Sequence, residues 1–161
     1  MTLSVGDRIP EADLFVPGKS GPEKVASRDL FAGRRIVLVG MPGAFTPTCH
    51  RSHLPGFIEN CDAIRAKGID EIMVLTTNDT HVLKAWAEAT GGRSKLRFIS
   101  DGNADFVQKT GLFKDSSAHG MGIRAKRFAL IAEDGVVTAL FLDEQPGQIV
   151  TSSAARVLEA L

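Results

Sequence analysis

The 161 residues, 43% hydrophobic and 24% charged, suit one globular domain that buries its own core, which excludes a disordered chain and a miniprotein held by disulfides. The 19 Lys and Arg balance 19 Asp and Glu, so no global positive field draws the chain to nucleic acid or to an acidic membrane face. No apolar run approaches the ~20 residues that span a bilayer, the start Met1-Thr2-Leu3-Ser4-Val5 carries no secretion signal, and Cys49 and Cys61 are too few for a disulfide framework, so a reducing cytoplasm is expected.

Residues 1–33 are punctuated by Pro10, Pro17, Gly18, Gly21 and Pro22, and read as an N-terminal extension with short strands that packs on the main body. Residues 35–41 (Arg-Ile-Val-Leu-Val-Gly-Met) form a short β-branched apolar run, the pattern of a strand covered on both faces, and residues 71–77 repeat it. Between them Leu54, Phe57, Cys61 and Ile64 recur at helical spacing, completing a strand-helix-strand crossover. A helix over 81–90, capped by Asp79 or Thr80 and stopped by Gly91-Gly92, precedes a strand at 96–100 and a short helix at 104–110. Residues 127–132 and 136–142 are predicted to pair as a hairpin across Glu133-Asp134-Gly135, because Asp-Gly favours the tight turn. Val150, Ala154, Val157, Leu158 and Leu161 then mark an amphipathic closing helix. A crossover half followed by hairpin and helix predicts an α/β, thioredoxin-like fold: a mixed central sheet with helices on both faces, in one domain over 1–161.

The chemistry points to the turn after the first central strand. Pro42-Gly43 breaks the strand, Thr46 offers a helix N-cap, and Pro47 occupies the first helical position, where its missing N–H costs nothing. Cys49 then falls in the first turn, where unpaired backbone N–H groups and the positive end of the helix dipole favour a thiolate. An open α/β sheet also places its chemistry at the carboxyl ends of its strands. Read blandly, Cys49 is a small apolar filler; the cap, the proline and the strand-turn-helix setting favour a reactive thiol instead.

Pro42-x3-Thr46-x2-Cys49 resembles the active-site signature of the peroxiredoxins. The longer run Gly43-Ala44-Phe45-Thr46-Pro47-Thr48-Cys49, with His53-Leu54-Pro55-Gly56-Phe57 after it, is similar to the peroxiredoxin-5-like, or type II, branch, and further similar segments (Lys67-Gly68-Ile69-Asp70, Thr77-Asn78-Asp79, Trp86, Arg127-Phe128-Ala129) extend the likeness along almost the whole chain. The resemblance implies that Cys49 is the peroxidatic cysteine, Thr46 its hydroxyl partner, Pro42 a shield over the site and Arg127 a charged partner. It implies a thiol peroxidase that reduces hydrogen peroxide and small organic hydroperoxides, serves antioxidant defence, needs no cofactor and forms a homodimer. The thioredoxin-like fold of the family agrees with the element order.

Full ionisation of a thiol with pKa ~8.5 raises its reactivity at pH 7 only roughly thirtyfold. The larger gain comes from donors that stabilise charge growing on the departing oxygen, a task for which Thr46 and the planar fork of Arg127 are suited. Treating 124–127 as one strand puts Arg124 and Lys126 on the face opposite Arg127, with Arg124 held as a second candidate cation.

Cys61 shares the apolar stripe of its helix, so core packing is favoured over resolution of an oxidised Cys49. A helix between the two cysteines spans about 18 Å, far beyond the reach of about 7 Å for disulfide-bonded Cα atoms. The strand near Val74 and the loop near Thr151, where two-cysteine relatives carry a resolving cysteine, have none, so a one-cysteine cycle completed by an external thiol is expected; the resemblance implies glutathione with glutaredoxin, or thioredoxin, as that reductant. Cys49, His50 and His53 in one turn make a poor metal site, and none is expected. His53 matches the family pattern in a structural or hydrogen-bonding role; His50 stands where relatives often have serine and bears on the electrostatics of the entrance; His81 and His119 read as surface or loop residues. The resemblance implies that the Phe45 region and the loops around Thr46 and Asp79 are the dimer surface. A peroxide-sensing redox switch is the alternative function, and a dithiol oxidoreductase is disfavoured because no Cys-x-x-Cys pair exists.

Overall fold

The computed structural model describes residues 2–145 and 148–161. The N-terminal extension contributes an antiparallel hairpin, β1 (Asp13–Gly18) and β2 (Gly21–Ala26), then a short helix α1 (Ser27–Phe31). The central strand β3 (Arg35–Gly40) follows, and β4 (Glu71–Thr76) lies parallel beside it. Between them the chain makes a π-helical turn, Cys49–His53, and two short helices, α2 (Leu54–Glu59) and α3 (Cys61–Arg65). The single helix expected there is broken at Asn60, whose backbone leaves helical geometry (φ −101°, ψ 6°).

Helix α4 (Thr80–Thr90) is capped by Asp79, whose Oδ1 accepts from the Val82 N–H at 2.9 Å, and it ends at Gly91 with φ +74°, a left-handed conformation that glycine adopts without strain. Strand β5 (Arg97–Ser100) continues the parallel set and leads to α5 (Asp105–Thr110). A small separate hairpin, β6 (Phe113–Asp115) with β7 (Ile123–Ala125), was not legible in the apolar pattern because its strands are three residues long. Strands β8 (Arg127–Glu133) and β9 (Val136–Asp143) pair antiparallel across Asp134 (φ 48°) and Gly135 (φ 77°), the two positive φ angles of a hairpin turn that matches strand twist.

The seven-stranded sheet has the order β2-β1-β5-β4-β3-β8-β9 and is mixed, since β3 is parallel to β4 but antiparallel to β8. Alternation along β3 sends Val37 and Val39 into one apolar layer and Ile36 and Leu38 into the other. The first layer holds Cys49, Phe57, Ile64, Trp86 and Val157; the second holds Leu14, Phe31, Phe106 and Phe128. Position 40, the last of β3, requires glycine because a Cβ there would run into the Phe128 ring.

The closing helix α6 (Ala154–Glu159) is shorter than its apolar spacing predicted, and Val150 is 62% exposed instead of packed. The cause lies in β9. Asp143 accepts the N–H groups of Val150, Thr151 and Ser152, holding that stretch out of helical form until Ser153 caps the helix through the Arg156 N–H.

Candidate active site

The loop that leaves β3 is tied down at both ends. Met41 N–H bonds the Leu75 carbonyl, and Ala44 N–H bonds Asn78 Oδ1 at 2.8 Å. Just past the second anchor Phe45 takes a left-handed φ of 61°, a strained choice for an aromatic residue, and turns the chain so that Thr46 precedes the helical residues Pro47 and Thr48. Thr46 does not use its hydroxyl as expected of a cap: the proton goes to the Gly43 carbonyl at 2.6 Å, which leaves the oxygen lone pairs outward.

From Cys49 the helix widens, with the Leu54 N–H bonding the Cys49 carbonyl five residues back. Pro55 lacks the N–H that an α-helix would use to bond Arg51, which loosens this segment. The sulfur itself is 0% exposed in the first apolar layer.

Arg127 reaches that sulfur from β8. Alternation puts Arg127 on the same face as Ala129 and Ile131, and its Nη2 stands 3.4 Å from Cys49 Sγ. Arg127 as a whole is only 6% exposed, and among the described residues it makes no ion pair with a carboxylate. Its other arm, Nη1, donates to His53 Nδ1 at 3.1 Å. Arginine is always a donor, so Nδ1 must be bare, and His53 carries its proton on Nε2, which donates to the Ser152 carbonyl at 2.9 Å.

Burial lowers the His53 pKa to about 4; the Ser152 carbonyl and the Asp143 charge act the other way, while Arg127 reinforces the burial. A neutral histidine therefore faces the guanidinium and leaves its charge uncancelled. Asp143 sits opposite Arg127 in the β8–β9 register but spends its oxygens elsewhere, on the Ser152 hydroxyl at 2.6 Å and the Thr151 hydroxyl at 2.8 Å. Burial pushes the Asp143 carboxyl up, but the hydrogen bonds from Ser152 and Thr151 outweigh it and hold the group well below the ordinary carboxylate range. The result is a buried chain of contacts, Cys49–Arg127–His53–Ser152–Asp143.

A cavity of about 380 Å³ abuts this chain, lined by Pro42, Thr46 and Arg127 among others. Pro42 is also gripped through its carbonyl by Arg124 Nη1 at 3.2 Å. The expected opposition of Lys126 and Arg127 across one strand does not hold. Lys126 separates β7 from β8 and lines the cavity beside Arg127, and Arg124, on β7, supports its rim.

The histidines divide. His50 is outside that cavity lining: its Nδ1 accepts from Trp86 Nε1 at 2.9 Å and its ring stacks on Phe45. The expected effect on the entrance is replaced by a tie to α4. His81 and His119 are exposed. Cys61 is buried in the same apolar layer as Cys49, both thiols are free, and among the described residues no cluster of three metal-ligating side chains occurs. Asp143, Thr151 and Ser152 were missed by sequence reasoning. A carboxylate ending a strand, followed by a Thr-Ser-Ser run, is their only signal, and it is a common one.

The redoxin family profile matches residues 4–158. Peroxiredoxin-2C of Oryza sativa subsp. japonica is 40% identical over 99% of this chain and 98% of its own length. The chloroplastic peroxiredoxin-2E-2 of the same species is 44% identical over 99% of this chain and 73% of its own. Among solved structures, the reduced Prx3 of Vibrio vulnificus in complex with hydrogen peroxide superposes with a TM-score of 0.93 at 39% identity, covering 99% of each chain.

Proposed function

Since the chain belongs to the peroxiredoxins, in their type II branch, and is a thiol peroxidase with an antioxidant role, we propose that Cys49 is the peroxidatic residue, served by Arg127, Thr46 and Pro42. The contact between Arg127 Nη2 and Cys49 Sγ carries this reading. A buried guanidinium without a carboxylate is costly, and the sulfur is the group within its reach that can bear the compensating negative charge.

Peroxide enters the cavity that Pro42 and Thr46 wall. The thiolate attacks one peroxide oxygen, an S–O bond forms, the O–O bond breaks, and the departing hydroxide or alkoxide takes from solvent the proton that Cys49 gave up on ionising, becoming water or alcohol. Cys49 is oxidised to sulfenic acid. Because the Thr46 proton is committed to Gly43, its oxygen accepts from the peroxide O–H and orients it, while Arg127 meets the charge that grows along the S–O–O line.

Cys61 stays in the core, so an external thiol completes the cycle: it forms an S–S bond to Cys49 as the S–O bond breaks and water leaves, and a second thiol then frees the cysteine. Glutathione with glutaredoxin fits this scheme, with thioredoxin as the other reductant. The chain works as one domain, paired as a homodimer through the surface around Phe45, which is 49% exposed. A reducing cytoplasm suits its two free thiols. Among the described residues no helix is long and apolar enough to cross a membrane.

Intact-mass measurement after one equivalent of hydrogen peroxide tests the assignment. One added oxygen is expected in the wild type and in Cys61→Ser but not in Cys49→Ser. Equal labelling of Cys49→Ser would overturn it.

A further inference from the structure

The site leaves one polar contact unused. Trp86, fully buried, donates its only N–H to His50 Nδ1, and His50 is the residue after the cysteine. This hydrogen bond fastens the widened turn Cys49–His53 onto α4. A buried indole N–H that loses its acceptor is costly, so the bond resists any movement of the turn away from α4.

Such movement is required by the cycle proposed above, on which the consequence drawn here rests. Peroxide is small, but a thiol reductant must bring its own sulfur into line with Cys49 Sγ, which is 0% exposed. The turn must open for that step. Opening separates His50 from Trp86.

We propose that His50 is a positioning residue that latches the cysteine-bearing turn shut, and that its protonation releases the latch and admits the thiol reductant to oxidised Cys49. The bond fixes His50 as the tautomer with a bare Nδ1. A proton added there turns the acceptor into a donor, and two N–H groups then confront each other.

Among the described residues His50 Nδ1 is the one hydrogen-bond partner of Trp86 Nε1. From α2, Glu59 is the one ionisable group that shares the small cavity beside His50, together with Pro55 and Ile58; from α4 come Ala89 and Thr90, and Trp86 through its hydrogen bond. The loop before the turn presents the Phe45 ring at 5.5 Å. On its own turn the titratable neighbours are Cys49, Arg51 and His53. Among the described residues neither Glu59 nor the Phe45 ring is hydrogen-bonded to the indole N–H, so neither holds the turn once His50 lets go.

The test uses the full chain and its single tryptophan. His50→Asn keeps a carbonyl oxygen near the place of Nδ1 and does not titrate; His50→Leu removes the acceptor at every pH. Between about pH 8 and about pH 5, the span over which histidines generally change charge, Trp86 emission of the reduced wild type should show a one-proton transition that both variants lack.

Each protein is then oxidised with one equivalent of hydrogen peroxide, checked by mass, and mixed with glutathione, and formation of the mixed disulfide is timed. The ratio of wild type to His50→Asn cancels the ionisation of glutathione itself. That ratio should rise about fivefold from the alkaline to the acidic end, the factor that one neutral hydrogen bond is worth. His50→Leu should be fast throughout. A flat ratio, or a wild-type emission transition that persists in His50→Asn, overturns the latch. Absence of any added oxygen would instead count against the peroxidase reading, and the Trp86 titration would still decide the latch.

Discussion

Arg127 makes the contacts on which the proposed site rests, and its geometry explains why a lysine would not replace it. One arm of the fork meets Cys49 Sγ while the other is held by His53 Nδ1, so the charge is aimed by a contact that does not neutralise it. A single ammonium nitrogen cannot serve both. Arg127→Lys should therefore lower kcat/KM for hydrogen peroxide about a hundredfold while the protein stays folded, as stopped-flow kinetics with matched circular dichroism would show. A loss of under threefold would contradict the role.

His53 makes a second prediction at this scale. Its pKa falls from 6.5 to about 4 in the fold, so between those values the unfolded chain binds the extra proton and the native one does not. The stability that neutral His53 supplies is present in full above 6.5 and is lost as pH falls toward and through about 4. In denaturant titrations over that range the wild type should lose about 3 kcal/mol more than His53→Asn, which keeps an acceptor for Arg127 but cannot titrate. Parallel pH profiles would refute the buried, neutral assignment.

At the scale of elements, two junctions build the site, and both depend on side chains that gather backbone N–H groups. Asn78, just past β4, pins the strained Ala44–Phe45 corner that aims Thr46. Asp143, at the end of β9, collects Val150, Thr151 and Ser152 and so places the Ser152 carbonyl against His53. Asp143→Asn replaces one acceptor oxygen by a donor and removes the charge. Amide hydrogen exchange at Thr151 and Ser152 should then accelerate at least about tenfold, with β3 and β4 amides unchanged. Unaltered exchange at 150–152 would show that the segment is held by other means.

For the whole molecule, the sheet is the frame that brings separate segments together. Cys49 follows β3, Arg127 begins β8, and these strands are adjacent and antiparallel, so residues far apart in the chain meet at one end of the sheet. The same arrangement leaves Phe45 half exposed beside the site, as the candidate contact between copies. Phe45→Glu should shift sedimentation from dimer to monomer at micromolar concentration, because a buried carboxylate without a partner is unfavourable at an interface. If both proteins sediment as dimers the interface lies elsewhere, and if both sediment as monomers the proposed homodimer fails.

What could be read from the chain alone was whatever depends on local order. Apolar runs disclosed β3 and β4, Asp134-Gly135 disclosed the β8–β9 turn, and the Thr46-Pro47 start placed Cys49 in a first helical turn. Strand alternation failed for Arg124, Lys126 and Arg127 because the chain changes sheets at Lys126, a break with no compositional mark. The closing helix was overextended for a related reason, since Asp143 captured amides that periodicity assigned to α6. Only tertiary structure could decide that a neutral His53 supports Arg127, that Thr46 turns its proton to Gly43, and that His50 answers Trp86. Each of these is a hydrogen bond whose partner is chosen by where the backbone carries it. Residue type limits what a group can donate or accept, and packing selects which of those bonds is made.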